Sequence, residues 1–380
     1  MRALHVVPSV AARYGGPSEA AVSTVRALRQ AGVDALLATT DAEGVGRLAR
    51  SRGEEIDYLG APSIFFPRLP GESLKPSPAL ARWLGRNASR FDVVHVHSVF
   101  SHPSLAAGRA ARRAGVPYVV RPLGQLDAWS LSRHAGRKKV FLAAGGKRLL
   151  VRAAAIHWTD ASERGRAPEF ASALPSFVVP LGVEERIFDS PAAGNRERVV
   201  LFLSRLDPKK NVESLIDAFS GLGEVAAGWR LVIAGGGERA YVDSLRTRAA
   251  HAADRVEFVG WLSGEAKLRA LRTAQIFVLP SKQENFGIAV AEAMASGVPV
   301  VVSEAVALSG VVRRVGAGWV APDQAEGLAG VLAEAIASPV ERARRGGSGR
   351  NFAEQRYRWA TVARQLLVEY EGLVARRGSA

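Results

Sequence analysis

Short apolar runs separated by helix-length segments recur from one end of this chain to the other, and no other feature limits its folding as much. The first set is ALHVVPS (3–9), DALLATT (34–40), DVVHVHS (92–98), PYVVRPL (117–123), AAIHWTD (154–160) and SFVVPLGV (176–183). A second set repeats the rhythm with RVVLFLSRL (198–206), WRLVIAGG (229–236), RVEFVGWL (255–262), AQIFVLPS (274–281), VPVVVSE (298–304) and AGWVAPD (317–323). Continuous β-branched runs without polar alternation suit parallel strands covered on both faces. Two successive sets predict an α/β protein of two doubly wound domains, and 380 residues are too many for one ordinary core. The boundary is expected near PLGVEERIFDSPAAGNRER (180–198), where Pro, Gly and charge gather. At the far end, RYRWATVARQLLVEYEGL (356–373) has helical spacing through Trp359, Val362, Leu366, Leu367 and Tyr370, a face that must be buried.

Composition narrows the chemistry. With no cysteine, disulfides, thiolate metal sites and a Cys nucleophile are excluded, and a reducing cytosol fits. The start, MRALHVVPSVAARYGG, is read as a first buried strand rather than a signal peptide, because His5 and Pro8 interrupt its apolar run. No window reaches the ~18 unbroken apolar residues of a membrane span. A charge of +15 favours an anionic partner. The densest basic run, SRHAGRKKVFLAAGGKRLLVRAA (132–154), reads either as a solvated helix face or as a patch for an anionic membrane surface. Phe141 stands alone there, so no nucleic acid is expected as partner. ERARRGGSGR (341–350) is expected to be a loop and a helix end.

Ligands of open α/β sheets bind beyond the carboxyl ends of the strands, so the loops that follow strands carry the candidates. In RYGGPSEA (13–20), Gly15 and Gly16 let the backbone approach a ligand at the start of a helix. In LSRLDPKKNVESLIDAF (203–219), Arg205 and Lys210 can converge on a diphosphate, with Lys209 the less favoured neighbour. In AGGGERA (234–240), Gly235, Gly237 and Ala240 fit G-x-G-x-x-A, with Glu257 near the place of a ribose acid; this supports a nicotinamide enzyme, although a tight turn reads equally well. In PSKQENFGIAVAEAMASG (280–297), Glu284 precedes a helix and Glu292 is expected about two turns inside it, with the amides of Asn285, Phe286 and Gly287 turned toward an anion. His95 and His97 lie two apart on one strand; they are expected to point to opposite faces and so not to share a metal ion, and no metal constellation is expected. No G-x-S-x-G elbow or Walker A sequence is present.

Together GGPSEA, DVVHVHS, SRLDPKKN, LVIAGGGE, FVGWL and PSKQENFGIAVAEAMASGVPVV make the chain resemble the retaining nucleotide-sugar glycosyltransferases of the GT-B fold, family 4, over nearly its whole length. RPLGQLDAWSLSRHAGRKK further resembles a bacterial exopolysaccharide and lipopolysaccharide subgroup. The resemblance implies two Rossmann-like domains facing across a cleft: an acceptor-binding domain over 1–180, joined by a returning helix over 358–375, and a nucleotide-sugar domain over 181–357. It implies that Arg205 and Lys210 neutralise the leaving nucleoside diphosphate, that Glu284 touches the transferred sugar and Glu292 the ribose, and that Gly15 and Gly16 meet the phosphate. No metal or cofactor is implied; the partners are a nucleoside-diphosphate sugar, a glycan or lipid-linked acceptor and an anionic membrane surface, at the inner face of the cytoplasmic membrane. The sequence departs from the family in two places. Leu123 stands where many members carry a His before Gly124, so that role is either unfilled or moved to Arg121, Gln125 or Asp127, with His97 also on the acceptor side, and Leu181 replaces a usual Asn. A nicotinamide oxidoreductase and a non-catalytic sugar-nucleotide binder are the competing readings.

Overall fold

The computed structural model describes residues 1–49, 53–189, 196–322 and 325–378; positions 190–195 of the expected boundary lie outside them. The chain divides into two compact units, Met1–Gly182 with Trp359–Ala380, and Val183–Arg358.

The first unit is built on β1 (Arg2–Val7), β2 (Asp34–Thr40), β3 (Glu55–Tyr58), β4 (Ala61–Phe66), β5 (Val93–His97), β6 (Tyr118–Arg121), β7 (Ala155–Trp158) and β8 (Ser176–Val178). Their order is β8-β7-β6-β5-β1-β2-β4-β3. All pairs are parallel except β3 with β4, a hairpin closed by Leu59 and Gly60, both at positive φ as a two-residue turn of this kind requires. This hairpin is absent from the apolar runs for a physical reason: Glu55 and Asp57 face solvent and Pro62 interrupts β4, which blurs both periodicities. The second unit holds β9 (Glu197–Leu203), β10 (Arg230–Ala234), β11 (Val256–Gly260), β12 (Ala274–Leu279), β13 (Val300–Ser303) and β14 (Gly318–Ala321). Its order is β11-β10-β9-β12-β13-β14, wholly parallel. Every apolar run singled out above contains one of these strands.

The helices that bear on function are α1 (Gly16–Gln30), α2 (Pro78–Asn87), α3 (His102–Arg113), α4 (Ala128–Ser132), α5 (Ala135–Phe141), α6 (Lys147–Val151), α7 (Val212–Ser220), α8 (Gly264–Thr273), α9 (Ile288–Ala295), α10 (Pro339–Arg356) and α11 (Trp359–Gly378). Side-chain alternation splits the first unit's core in two. Ala3 and Val7 of β1 pack with Val25 and Leu28 of α1 and with Trp359, Val362, Leu366 and Tyr370 of α11. Leu4 and Val6 pack on the other face with Leu84 of α2 and Ala107 of α3.

The basic run 341–350 is not a loop but the middle of α10. Its glycines admit close packing rather than ending the helix: a Cβ on Gly346 would lie 2.3 Å from the Gly297 carbonyl oxygen, just past α9.

Candidate active site

In the second unit the strand order reverses between β9 and β12, the point where ligands of such sheets bind. Two loops leave the carboxyl ends of these neighbouring strands. After β9, Asp207 accepts a hydrogen bond from the Lys209 amide (3.1 Å) and caps the single turn Pro208–Lys210, and Asn211 at φ 56° starts α7. After β12, the Lys282 amide donates to the Lys209 carbonyl (2.8 Å), which ties the two loops together. The Glu284 amide donates to Ala305 (3.2 Å) and its carbonyl accepts from Ala307 (3.1 Å).

This backbone frame places the Lys210 ammonium on the Glu284 carboxylate, to which it donates a hydrogen bond. Their side chains are 7% and 19% exposed, so the pair meets largely out of water. Burial pushes the Glu284 carboxyl up, but the charges of Lys210 and Lys209, the Lys210 hydrogen bond and the Asn285 amide outweigh it and hold the group below the usual carboxylate range. Lys209 is lowered by burial and by the neighbouring cations Lys210 and Arg205. Arg205 is exposed at the rim. Three cations, Arg205, Lys209 and Lys210, thus stand against two carboxylates, Asp207 and Glu284, an excess of positive charge suited to a diphosphate.

Glu292 is the fifth residue of α9, little more than one turn in rather than two. Its carboxylate accepts a hydrogen bond from the Lys267 ammonium of α8 (2.7 Å), a partner 25 residues away that no spacing in the sequence announces. Phe286 is 3% exposed and meets Tyr357 edge-on at 5.7 Å, which makes its ring a core element. Gly287, at φ 83°, caps the start of α9.

The glycine turn after β10 has a packing explanation. A Cβ on Gly235 would lie 1.9 Å from the Ser204 carbonyl oxygen and one on Gly237 2.1 Å from that of Leu206, so these glycines exist to let the two loops touch. Glu257 is paired with Arg230 (3.1 Å) on the surface.

In the first unit, Gly15 caps α1 and Gly16 opens it. His97 and Arg121 end β5 and β6 side by side in register. The histidines correct the expectation drawn for them: residues two apart on a strand share a face, and His95 and His97 stack with ring centres 4.5 Å apart. His5 of β1 joins them, and ring nitrogens of His5, His95 and His97 lie within 4.8 Å of one another, close enough for a shared ion. Their ring nitrogens also lie near polar partners: His5 Nδ1 to His97 Nε2 at 3.0 Å, His95 Nδ1 to the Tyr370 hydroxyl at 2.5 Å, and His157 to His95 at 3.3 Å and to the Val179 carbonyl at 2.7 Å. Burial, with the Arg121 charge, pushes His5 down to about 3, and burial first of all lowers His95, His97 and His157 far below their ordinary value. Arg121, 1% exposed, is lowered to about 10 by burial, against which Glu163 and Tyr370 act. Glu163 is committed elsewhere, accepting from the Gly124 and Thr159 amides at 2.6 and 2.8 Å. Gln125 accepts from the Val99 amide (2.7 Å), and Asp127 caps α4 and pairs with Arg166 (2.7 Å). Leu123, where the family resemblance breaks, holds φ 56°, an unusual conformation for a branched side chain.

Two Rossmann-like units, the second with paired lysines and glutamates at its switch point, define the class of the GT-B glycosyltransferases. The chain belongs to the glycosyl transferases group 1 family, matched over residues 183–352, with a glycosyl transferase 4-like domain matched over 15–182. It is similar to a phosphatidyl-myo-inositol mannosyltransferase of Mycobacterium leprae, 35% identical over 48% of each chain. With the enzyme of that description in Mycolicibacterium smegmatis it is 30% identical over 74% of this chain and 71% of the other. The chain spans about half the length of the first curated relatives it matches. In fold it resembles a sucrose-phosphate synthase from Thermosynechococcus elongatus (TM-score 0.77, 21% identity, 99% and 100% of the two chains). Anabaena HepE in complex with UDP and glucose is similar too (TM-score 0.77, 20% identity, 98% and 99%).

Proposed function

We propose that this protein is a retaining, metal-independent glycosyltransferase that moves a sugar from a nucleoside-diphosphate sugar to a glycan or lipid-linked acceptor in cell-surface polysaccharide synthesis. One observation carries the reading: the Lys210–Glu284 pair, with Lys209 and Arg205 beside it, at the carboxyl ends of the two strands where the sheet reverses. Family membership and the solved complex of HepE with UDP and glucose support it.

In this reaction the bond between the sugar's anomeric carbon and the phosphate oxygen breaks, and the nucleoside diphosphate departs with the electron pair. Lys210 and Arg205 stabilise the charge that grows on it, the part a divalent cation would otherwise play. The acceptor hydroxyl attacks from the face the diphosphate leaves, and its proton passes to the departing phosphate oxygen. Glu284, held by Lys210, is a poor nucleophile and orients the transferred sugar instead. Glu292, fixed by Lys267, accepts from the ribose hydroxyls, while the amides of Phe286 and Gly287 face the anion and that of Asn285 is engaged by the Glu284 carboxylate. Gly15 and Gly16 are given the phosphate-approach role in the first unit, and the acceptor is assigned to the surroundings of His97, Arg121, Gln125 and Asp127.

The basic stretch 132–154 carries α5 and α6, with Val140 and Val151 exposed among lysines and arginines and Trp129 exposed just ahead of it. Apolar tips among cations suit an anionic bilayer, and we assign this face to peripheral docking at the inner membrane surface. Among the described residues no helix is long and apolar enough to cross a membrane.

The test is a thermal-shift screen against UDP, GDP, ADP, CMP and NAD(P) with EDTA present. A ligand at 100 times its Kd stabilises by about 2.7 kcal/mol. Stabilisation by one nucleoside diphosphate, lost in Lys210→Ala, supports the transferase; stabilisation by NAD(P) alone overturns it.

A further inference from the structure

α3 and α6 of the first unit line a cavity of about 120 Å³, open to solvent, over the end of Tyr118, with Arg109 and Arg148 exposed and Arg112 half-buried. Arg109 and Arg112, three apart and so on one face of α3, line it from one side, and Arg148 of α6 from the other, with Gly108 and Leu149 beneath. The two helices come this close because residue 108 has no side chain: a Cβ there would lie 2.4 Å from Leu149 Cδ1. The floor is polar, since the Tyr118 hydroxyl donates to the Leu149 carbonyl (2.7 Å) and is 98% shielded with its residue. Burial raises Tyr118 to about 12, and the charges of Arg112, Arg152 and Arg148 pull the other way. Among the described residues, no carboxylate lies within 4.0 Å of Arg109, Arg112 or Arg148, in a chain where many other arginines are paired. Three like charges around one cavity repel unless an anion joins them, and the planar fork of arginine matches phosphate oxygens two at a time.

We propose that this cavity is a phosphate-binding subsite, separate from the donor site of the second unit, that takes the phosphate group of an ester presented at the α5–α6 surface. It rests on the membrane-surface reading above for its position and on no part of the donor chemistry. At about 120 Å³ the cavity has room for a phosphate group. The exposed Val151 ends α6, one wall of the cavity, and suits a ligand that carries an acyl or prenyl chain.

The test uses the full chain in an Arg205→Ala/Lys210→Ala background, which removes diphosphate binding at the donor site. Inorganic phosphate and diphosphate are titrated by calorimetry at constant ionic strength, and sedimentation is measured with phosphatidylcholine vesicles with and without phosphatidylglycerol. Saturable binding of either anion is expected, weakened at least tenfold by Arg112→Ala/Arg148→Ala and unchanged by Arg82→Ala/Arg86→Ala, which removes the same charge from exposed positions of α2. If phosphatidylglycerol-dependent sedimentation also falls with the first pair only, the source is a lipid phosphate. If it does not, the source is a soluble phosphate ester. Absence of anion binding, or equal loss in both pairs, overturns the subsite whether or not nucleoside diphosphates stabilise the unaltered protein.

Discussion

The Lys267 ammonium lies 2.7 Å from the Glu292 carboxylate, and both side chains are nearly out of water at 13% and 8% exposure. A carboxylate so placed keeps one orientation, which suits the ribose role proposed for it. Lys267→Met is expected to weaken nucleoside-diphosphate binding about tenfold while changing the rate at saturating donor much less. Calorimetric titration beside single-turnover kinetics measures both; an unchanged affinity removes Lys267 from the site.

Lys210 and Glu284 form a unit, so their single substitutions are not additive. Lys210→Ala is expected to slow transfer by about 10²- to 10³-fold, the scale for losing one preorganised charge partner of a leaving group. It also strands a mostly buried carboxylate, and Lys210→Ala/Glu284→Gln is expected to recover stability but not rate. Recovery of rate in the double variant would place the lysine in a structural role only.

The buried histidines make the first unit sensitive to mild acid. In the folded chain they stay neutral, while in the unfolded chain they take protons below about pH 6.5, so stability is full above that value and lost as pH falls through it. Each can contribute up to about 1.4 kcal/mol per pH unit. Glu284, lowered from its ordinary value, adds to acid sensitivity only below about pH 4.5, outside this window. Urea midpoints at pH 7.5, 6.5 and 5.5 are expected to fall together with pH and to fall less in His157→Gln. Constant midpoints refute the account.

The glycine turn gives an independent check on the choice of chemistry. Gly237→Ala puts a methyl group against the Leu206 carbonyl and is expected to cost about 1–3 kcal/mol, with no effect on NAD(P), which the protein is not expected to bind. A stable variant in a melting experiment would mean that the loop has room that the backbone contact denies.

Lys138→Ala/Lys139→Ala/Lys147→Ala is expected to reduce sedimentation with anionic vesicles and to leave nucleoside-diphosphate affinity unchanged. Undiminished sedimentation would move the docking face elsewhere.

The parallel strands were legible in the sequence because burial on both faces leaves an unbroken apolar run, as in Val199–Leu203 and Val300–Val302. The β3–β4 hairpin was not, since its outer strand alternates with exposed acids and its inner one contains Pro62. The Lys210 and Glu284 loops could be named from strand-to-helix position, but the pairing of Glu292 with Lys267 depends on how α8 lies against α9, and no local pattern encodes that. Glycines misled at 346–349, where they suggested a loop and a helix packs closely, while at 235–237 they let two backbones touch, in keeping with the tight-turn reading. The histidine pair shows the opposite failure, since the alternation of a strand already places residues 95 and 97 together, and only His5 and His157 needed the sheet order to join them.

The first unit leaves its chain at Gly182 and resumes it at Trp359, where a Cβ on that glycine would lie 2.3 Å from the indole. At the crossing, the Val183 amide donates to the Tyr357 carbonyl (2.8 Å), so the second unit is closed at its own base. Synthesis from the amino end therefore delivers every residue of the second unit before α11 exists to cover α1 and the Tyr370 hydroxyl can reach His95. Of the two units, the one begun first is completed second, and until α11 is made its histidine layer has one side uncovered.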